Sequence, residues 1–177
     1  GYVFCQEGRT AQIAVSTIAD RLKHHFKDGA PLTQALTHRS FGSHNNERLE
    51  LLGDALLSYV VADWLHERFP AATEGQLSRL RASLVRGTTL ASIAREIALG
   101  DDLIMGGGEL KSGGFTRDSI LAGALEAVIG AIYLDGGVEA SKAQLQVLLA
   151  DRLEALNLEQ DQKDPKTLLH EHLQSIQ

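Results

Sequence analysis

The sequence has one cysteine, Cys5, among 177 residues. A single thiol cannot form an internal disulfide, so a disulfide-stabilised scaffold is excluded and a reducing, cytoplasmic location is expected. Aromatic residues are also scarce, at 5% of the chain, whereas 44% of the residues are hydrophobic. This balance is typical of a helical core built from Leu, Ile, Val and Ala.

Long apolar runs are absent too. The longest, residues 120–134, is shorter than a membrane span and contains Glu126, so no membrane association is expected. Residues 1–15 carry Glu7 and Arg9 and lack the apolar segment of a signal peptide, and we expect them to form a poorly ordered extension. The net charge of −6 disfavours a nucleic-acid-binding protein that depends on overall positive charge, but not one that uses bound cations as a bridge.

Helical periodicity dominates the remaining sequence, without a convincing strand pattern or an internal repeat. The sequence therefore predicts an all-α bundle. The first helix is expected to begin at a cap at Ser16 or Thr17, a short helix follows around residues 32–37, and Asn45 or Asn46 caps a long helix that Pro70 ends. Two further helices are expected, one from Thr73 to a stop at Gly87 and one from Thr88 or Thr89 to a stop at Gly100. The remaining helices are expected over residues 117–135, closed by Gly136 and Gly137, over residues 138–156, and from Pro165 onwards. The glycine-rich residues 105–115 are predicted to be irregular.

The long helix carries three carboxylates in an otherwise apolar sequence. At about 100° per residue, Glu50 and Asp54 lie within roughly 60° of Glu47, so the three share one face. Leu57 and Val61 continue that face and apolar residues cover the opposite one, which predicts a helix buried on all sides. One interpretation is a solvated charged face that pairs with lysines. In a partly buried patch, however, three like charges raise one another's pKa values, so a positive group is required.

Glu126 is the only charged residue between Asp118 and Asp135. Burying a lone carboxylate costs several kcal/mol unless it is paired or coordinated. A structural ion pair with an arginine is one explanation. The other is that two helices cross and bring Glu126 to the three carboxylates, where oxygen-only ligands suit Mg²⁺ or Mn²⁺. Such a site can activate water for attack on phosphorus, which points to phosphodiester or pyrophosphate hydrolysis.

Other charged residues have weaker implications. Glu74 begins a helix, where a carboxylate complements the helix dipole. Residues 76–95 contain no acid and form either a basic surface for a polyanion or an ordinary solvated helix face, with arginines at Arg79, Arg81, Arg86 and Arg95. Lys111 is a further candidate for contact with a polyanion, although its glycine-rich segment lacks P-loop spacing. The seven histidines show no ligand spacing with a nearby carboxylate.

Several blocks of the sequence resemble the ribonuclease III family. NNERLELLGDALL resembles the family signature, and TEGQLSRLRASLVRGTTLA, GGGELKSGGFTRDSILA and EAVIGAIYLDGG resemble its later blocks in order and spacing. KDPKTLLHEHLQ is similar to the linker and first helix of the family's double-stranded-RNA-binding domain. The resemblance implies an all-α ribonuclease III endonuclease-type bundle over residues 16–156, a linker over residues 157–164, and a fragment of an α/β RNA-binding domain over residues 165–177.

The resemblance also implies a homodimer that uses Mg²⁺ or Mn²⁺ to cleave double-stranded RNA, as in the processing of ribosomal and other RNA. The products would carry 5′-phosphate and 3′-hydroxyl ends. By position, Glu50, Asp54 and Glu126 are implied metal ligands, Asp54 and Glu126 are catalytic, and Asp54 orients the attacking water. Secondary acidic positions are Glu47 and Glu74. The implied RNA contacts of the C-terminal fragment are Thr167, His170, Glu171 and Gln174.

Three departures from the family pattern matter. Gly123 stands where the family has an acidic metal ligand, usually Asp. Leu51 replaces a Phe associated with the dimer contact, and a dimer with looser packing is expected there. His170 replaces a usual glutamine in an RNA-binding fragment that ends at Gln177.

Two alternative functions stay open. The first is a catalytically weak module that binds RNA or dimerises without cutting. The second is an all-α nucleoside-triphosphate pyrophosphohydrolase, which also uses helix-borne glutamates with magnesium.

Overall fold

The computed structural model describes residues 18–22 and 24–156. Residues 18–22 are helical, and an isolated bridge between Thr37 and Ile104 is the only extended pairing within the described ranges. The predicted all-α architecture is therefore confirmed there. The further helices are α1 (Ala30–Leu36), α2 (Glu47–Arg68), α3 (Glu74–Val85), α4 (Gly87–Glu96), α5 (Gly107–Lys111) and α6 (Asp118–Glu154), with 3₁₀ turns at Leu99–Asp102 and Gly114–Thr116. The predicted cap at Ser16 or Thr17, the linker and the RNA-binding fragment lie outside the described residues.

Two glycines determine how closely α2 and α6 pack. A Cβ atom at Gly53 would lie 1.7 Å from the carbonyl oxygen of Glu126, and one at Gly130 would lie 2.5 Å from the carbonyl oxygen of Leu49. Atoms in a packed interior sit about 3.5–4.0 Å apart, so neither position has room for a side chain. The backbones of α2 and α6 are therefore in direct contact, and residue 126 lies beside the first turns of α2.

The outer side of α2 departs from the prediction that this helix is buried all round. Leu57, Val60 and Val61 are fully buried, but Leu51 is 74% exposed and Tyr59 is 53% exposed. The helix packs against α6 and α3, and the described part of the chain leaves these two side chains largely uncovered, although Nζ of Lys142 on α6 lies 5.6 Å from the centre of the Tyr59 ring. The prediction was wrong because an apolar pattern does not reveal whether the same chain supplies the covering surface.

The predicted boundaries of α2 and α3 are largely confirmed. α2 ends at Arg68, two residues before Pro70, and Thr73 forms a capping box with Gln76 at the start of α3. Asn46 occupies the N-cap of α2, but its side chain donates to the carbonyl oxygen of Ala35. The capping hydrogen bond comes instead from Asn45, whose Oδ1 accepts from the backbone N–H of Glu47 at 3.1 Å.

Two predicted glycine stops are wrong. Gly87 is the first residue of α4, because the break falls at Arg86, whose extended backbone (φ −63°, ψ 146°) separates the two helices. Gly100 lies inside a 3₁₀ turn, and α4 has already ended before Ala98, which adopts a left-handed conformation (φ 50°). Gly100 is needed for close packing, since a Cβ there would lie 2.6 Å from the carbonyl oxygen of Phe115. The glycine-rich segment, predicted to be irregular, contains α5 and a 3₁₀ turn.

α6 forms the centre of the bundle and bends at Gly137, whose φ of 77° and ψ of −172° are not helical. Two helical segments therefore meet at this kink, and the predicted break at residues 136–137 is confirmed. By length and composition α6 is also the one helix among the described residues that could cross a membrane. However, 61% of its most apolar window is buried inside the protein, which is the behaviour of a core helix.

Candidate active site

The crossing of α2 and α6 places four carboxylates around one cavity of ≈ 610 Å³. Glu47, Glu50 and Asp54 come from the first turns of α2, and Glu126 comes from α6. The predicted convergence of these side chains is therefore observed, whereas their chemical roles stay predictions. The cavity is lined by His38, Arg39, Asn46, Glu47, Glu50, Leu51, Asp54, Ser119, Ile120, Gly123, Ala124 and Glu126.

The four carboxylates differ in their exposure to solvent. The side chain of Glu47 is 55% exposed, and its Oε1 lies 3.5 Å from Nη1 of Arg39. Asp54 is also exposed, whereas Glu50 and Glu126 are half-buried. The cavity thus has an outer side that solvent reaches freely and an inner wall that partly excludes it.

Burial and mutual repulsion raise the pKa of the two inner carboxyl groups. Burial, followed by the charges of Asp54 and Glu50, raises the pKa of Glu126 to about 7. Burial and the charges of Glu47 and Asp54 raise the pKa of Glu50, and the charges of Arg39 and His38 offset only part of this rise. These shifts mean that the described residues do not supply enough positive charge to balance the site.

Gly123 shapes the inner wall. A Cβ atom at this position would lie 2.9 Å from both Cδ and Oε2 of Glu50. The carboxylate of Glu50 therefore occupies the space next to α6 that a larger residue at position 123 would take. Because these atoms are the far end of a flexible side chain, Glu50 can turn away from this space without a change in the backbone.

The donor set fits a hydrated divalent cation better than a fully protein-ligated one. The ionisable side chains on the α2 and α6 walls are all carboxylates, and the hydroxyl of Ser119 adds another oxygen, which suits Mg²⁺ or Mn²⁺. Within residues 18–22 and 24–156, however, no three His, Cys, Asp or Glu side chains are grouped closely enough to form a ready-made ligand set. Magnesium commonly retains several waters and binds through one or two carboxylates. The candidates to hold it are Glu50, Asp54 and Glu126.

Two residues of the cavity were missed in the sequence. His38 and Arg39 follow α1 closely and line the cavity together with the carboxylates. The prediction that no histidine has a nearby carboxylate partner is wrong for His38, because its position beside Glu50 results from the folded loop and not from helical spacing. The only signal in the sequence was that these residues come immediately before the loop that leads into α2.

The other predicted charged residues lie outside this cavity. Glu74 is the first residue of α3, and its Oε1 accepts a hydrogen bond from Oγ of Ser78 at 2.6 Å. Arg79 and Arg81 are exposed on α3, and Arg81 lines a separate groove together with Glu74. Lys111 is exposed at the end of α5. Their predicted roles as a secondary acidic position and RNA contacts stay predictions.

Comparison with known proteins gives consistent matches. A family profile described as Ribonuclease-III-like matches residues 29–153. Ribonuclease 3 of Pseudomonas fluorescens (strain SBW25) is 56% identical over 163 residues, covering 92% of this chain and 71% of that protein. Ribonuclease 3 of Hahella chejuensis (strain KCTC 2396) is 58% identical over 156 residues, covering 88% and 69%.

A solved structure shows the same arrangement of helices. The nuclease domain of ribonuclease III from Campylobacter jejuni, described for structural flexibility in a region involved in dimer formation, matches with a TM-score of 0.76 at 45% identity. The match covers 77% of this chain and 96% of that one. The similarity therefore extends over both helices that carry the carboxylates.

Proposed function

Because this chain belongs to the ribonuclease III family of endoribonucleases, we propose that it cleaves double-stranded RNA in a reaction that requires Mg²⁺ or Mn²⁺. Water attacks phosphorus, the bond from phosphorus to the 3′-oxygen breaks, and the products carry 5′-phosphate and 3′-hydroxyl ends. The observation that carries this proposal is the single cavity where carboxylates of α2 and α6 meet. The raised pKa of Glu126 and Glu50 supports it, because both indicate a site that lacks positive charge.

The residues of the cavity have distinct roles in this mechanism. Glu50, Asp54 and Glu126 would hold the cation, which when bound would supply Lewis-acid stabilisation of the phosphate and a water of lowered pKa. The exposed carboxylate of Asp54 accepts a hydrogen bond from the attacking water and orients it. The carboxyl group of Glu126, on the inner wall, has a pKa raised to about 7 by burial and by the charges of Asp54 and Glu50, so it binds a proton more readily than an exposed glutamate when no cation is present. Glu47 is a secondary acidic residue on the outer side.

We also propose that two copies of the chain form the active protein. The exposed apolar side chains of Leu51 and Tyr59 lie on the same outer side of α2, and Leu51 also lines the cavity. A second copy that covers this side would bury the apolar surface and place its own cavity nearby. A cytoplasmic location belongs to the same proposal, because the chain has a single cysteine.

The test is cleavage of a long RNA duplex by the 177-residue chain, with Mg²⁺ or with EDTA. We expect shorter duplexes with 5′-phosphate ends, no reaction in EDTA, and loss of cleavage in Glu126→Gln. The exposed Glu139→Gln is the matched control, because it removes the same charge far from the cavity along α6. Cleavage by Glu126→Gln at the wild-type rate would overturn the assignment.

One observation favours a second candidate, a module that binds RNA or dimerises but cuts weakly. Gly123 contributes no ligand to the inner wall, and Glu50 lies in the space beside it. Gly123→Asp would add a carboxylate and displace Glu50 towards the cavity. If the missing ligand limits the chain, this variant should raise the cleavage rate at subsaturating Mg²⁺ by ~10–100-fold. An unchanged rate would show that Gly123 is not the limitation.

The pyrophosphohydrolase alternative is tested in the same preparations. It predicts release of pyrophosphate from free nucleoside triphosphates and no cleavage of the duplex. RNA cleavage without pyrophosphate release would exclude it.

A further inference from the structure

His38 is the one imidazole that lines the carboxylate cavity, and its ring is held on one side. Its Nδ1 lies 2.8 Å from Oγ of Ser40 and 3.2 Å from the backbone N of Ser40. A backbone N–H can only donate, so Nδ1 is the acceptor in that contact. The proton of the neutral ring is therefore on Nε2, at the edge that faces away from Ser40.

Ser40 is itself fixed by a distant part of the chain. Its Oγ accepts a hydrogen bond from the backbone N–H of Gly106 at 3.0 Å, across 66 positions of sequence. The hydroxyl proton is thus left to donate to Nδ1 of His38. The close approach of the Gly106 backbone to Ser40 requires glycine, because a Cβ at position 106 would lie 2.3 Å from the carbonyl oxygen of Ser40.

The backbone of His38 is anchored as well. Its N–H donates to the carbonyl oxygen of Ile104 at 2.9 Å, and the N–H of Ile104 donates to Leu36 at 2.9 Å. On the other side of the loop, the N–H of Asn46 donates to the carbonyl oxygen of Thr37 at 2.9 Å. The side chain is therefore positioned before any ligand arrives, which is the property expected of a preorganised binding group.

The orientation adds a hydrogen-bond donor to a cavity whose acidic side chains are acceptors. Glu50, Asp54 and Glu126 can only accept hydrogen bonds when ionised, whereas Nε2–H of His38 donates. None of the hydrogen bonds found among the described residues uses this nitrogen. A neutral imidazole N–H beside a site for a phosphodiester suits a non-bridging phosphate oxygen, which is an acceptor with no proton.

We propose that His38 is a substrate-binding residue whose Nε2–H donates to a phosphate oxygen of the RNA backbone, and that Ser40 is the positioning residue that sets its tautomer. This inference rests on the proposed function, since it assumes that RNA enters the carboxylate cavity. It adds a contact from the loop between α1 and α2 to those of the carboxylates on α2 and α6.

The decisive experiment compares His38→Gln with His38→Asn. The amide nitrogen of glutamine reaches the place of Nε2, whereas that of asparagine reaches only the place of Nδ1. Binding of an RNA duplex is measured in a Glu126→Gln background with Mg²⁺, so that the affinity is read without cleavage. We expect His38→Ala and His38→Asn to weaken binding by about tenfold or more, His38→Gln to restore most of the affinity, and Ser40→Ala to weaken it by ~3–10-fold.

Kinetics and a matched control separate this role from a structural one. With Glu126 intact, His38→Ala should raise KM while kcat changes little, because the contact is present before and during the reaction. His25→Ala removes an exposed histidine outside the cavity and should change neither value. Melting temperatures and circular dichroism of all variants establish that they fold.

The possible results are distinguishable. Equal effects of His38→Gln and His38→Asn, or an unchanged affinity in a folded His38→Ala, would overturn the inference while leaving the nuclease proposal intact. Binding that depends on His38 without any cleavage by the wild-type chain would support the inference and refute the nuclease. Failure of the wild-type chain to bind the duplex would overturn both.

Discussion

The two sides of α2 look alike in sequence and have different surroundings. On the inner side, Gly53 contacts the backbone of Glu126 so closely that no Cβ fits. On the outer side, Leu51 and Tyr59 are more than half exposed. This difference shows that an apolar helix face predicts only that the face is buried from water. It does not tell whether the same chain or a second one excludes it.

The largest expected effect comes from a methyl group on the inner side. Gly53→Ala places a Cβ 1.7 Å from the carbonyl oxygen of Glu126, so α2 and α6 must separate. We expect the free energy of unfolding to fall by about 3 kcal/mol or more, measured by urea denaturation. Gly87→Ala is the control, since a Cβ there meets nothing within 4 Å, and it should change stability by less than about 1 kcal/mol. Equal stabilities of the two variants would show that the helices do not cross so closely.

A charge on the outer side should break assembly and spare the fold. Leu51→Glu puts two carboxylates in the interface if two copies cover this face, and it should weaken the dimer by about 100-fold, or ~3 kcal/mol. Analytical ultracentrifugation measures the dissociation constant, and circular dichroism follows the helix content, which should not change. Val147→Glu, at another exposed apolar position, controls for added charge. A dimer as tight as that of the wild type would place the interface elsewhere.

The smallest effect is electrostatic and lies on the inner side. The pKa of Glu126 rises from its ordinary 4.5 to about 7 in the folded chain, so the folded state binds more protons than the unfolded state between these values. The resulting stability is complete below pH 4.5 and is lost as pH rises to about 7. Glu126→Gln should therefore gain stability relative to the wild type over this window, by about 1–2 kcal/mol once solvent screening is allowed for.

Thermal or urea unfolding at several pH values in EDTA measures this difference. Glu139→Gln removes the same charge from an exposed position and controls for net charge. A difference in the free energy of unfolding between Glu126→Gln and the wild type that does not vary with pH would show that the carboxyl group of Glu126 is not in a desolvated, negatively charged setting.

The features that could be predicted from sequence are those with a local period or a local break. The shared face of Glu47, Glu50 and Asp54 follows from the 100° step of a helix. Glu126 stands out because it is alone in an apolar run. The end of α2 before Pro70 follows from the proline ring, which cannot continue a helix.

The features that could not be predicted depend on contacts between distant residues. The need for Gly53 and Gly130 arises only where two helices cross, and their letters in the sequence do not differ from those of Gly87, where a side chain would fit. The orientation of His38 depends on Gly106, which belongs to a segment predicted to be irregular. The sequence predicts burial for the exposed side of α2 because the residue types there are those of a core.

The contact between Gly53 and the carbonyl oxygen of Glu126 has a consequence for how the protein can vary. Residue 126 serves the fold with its main chain and, in the proposed reaction, the cation with its side chain, and these two tasks use different atoms. Exchanging the side chain can therefore alter chemistry while leaving the framework in place, which gives a catalytically silent form of the protein without a loss of shape.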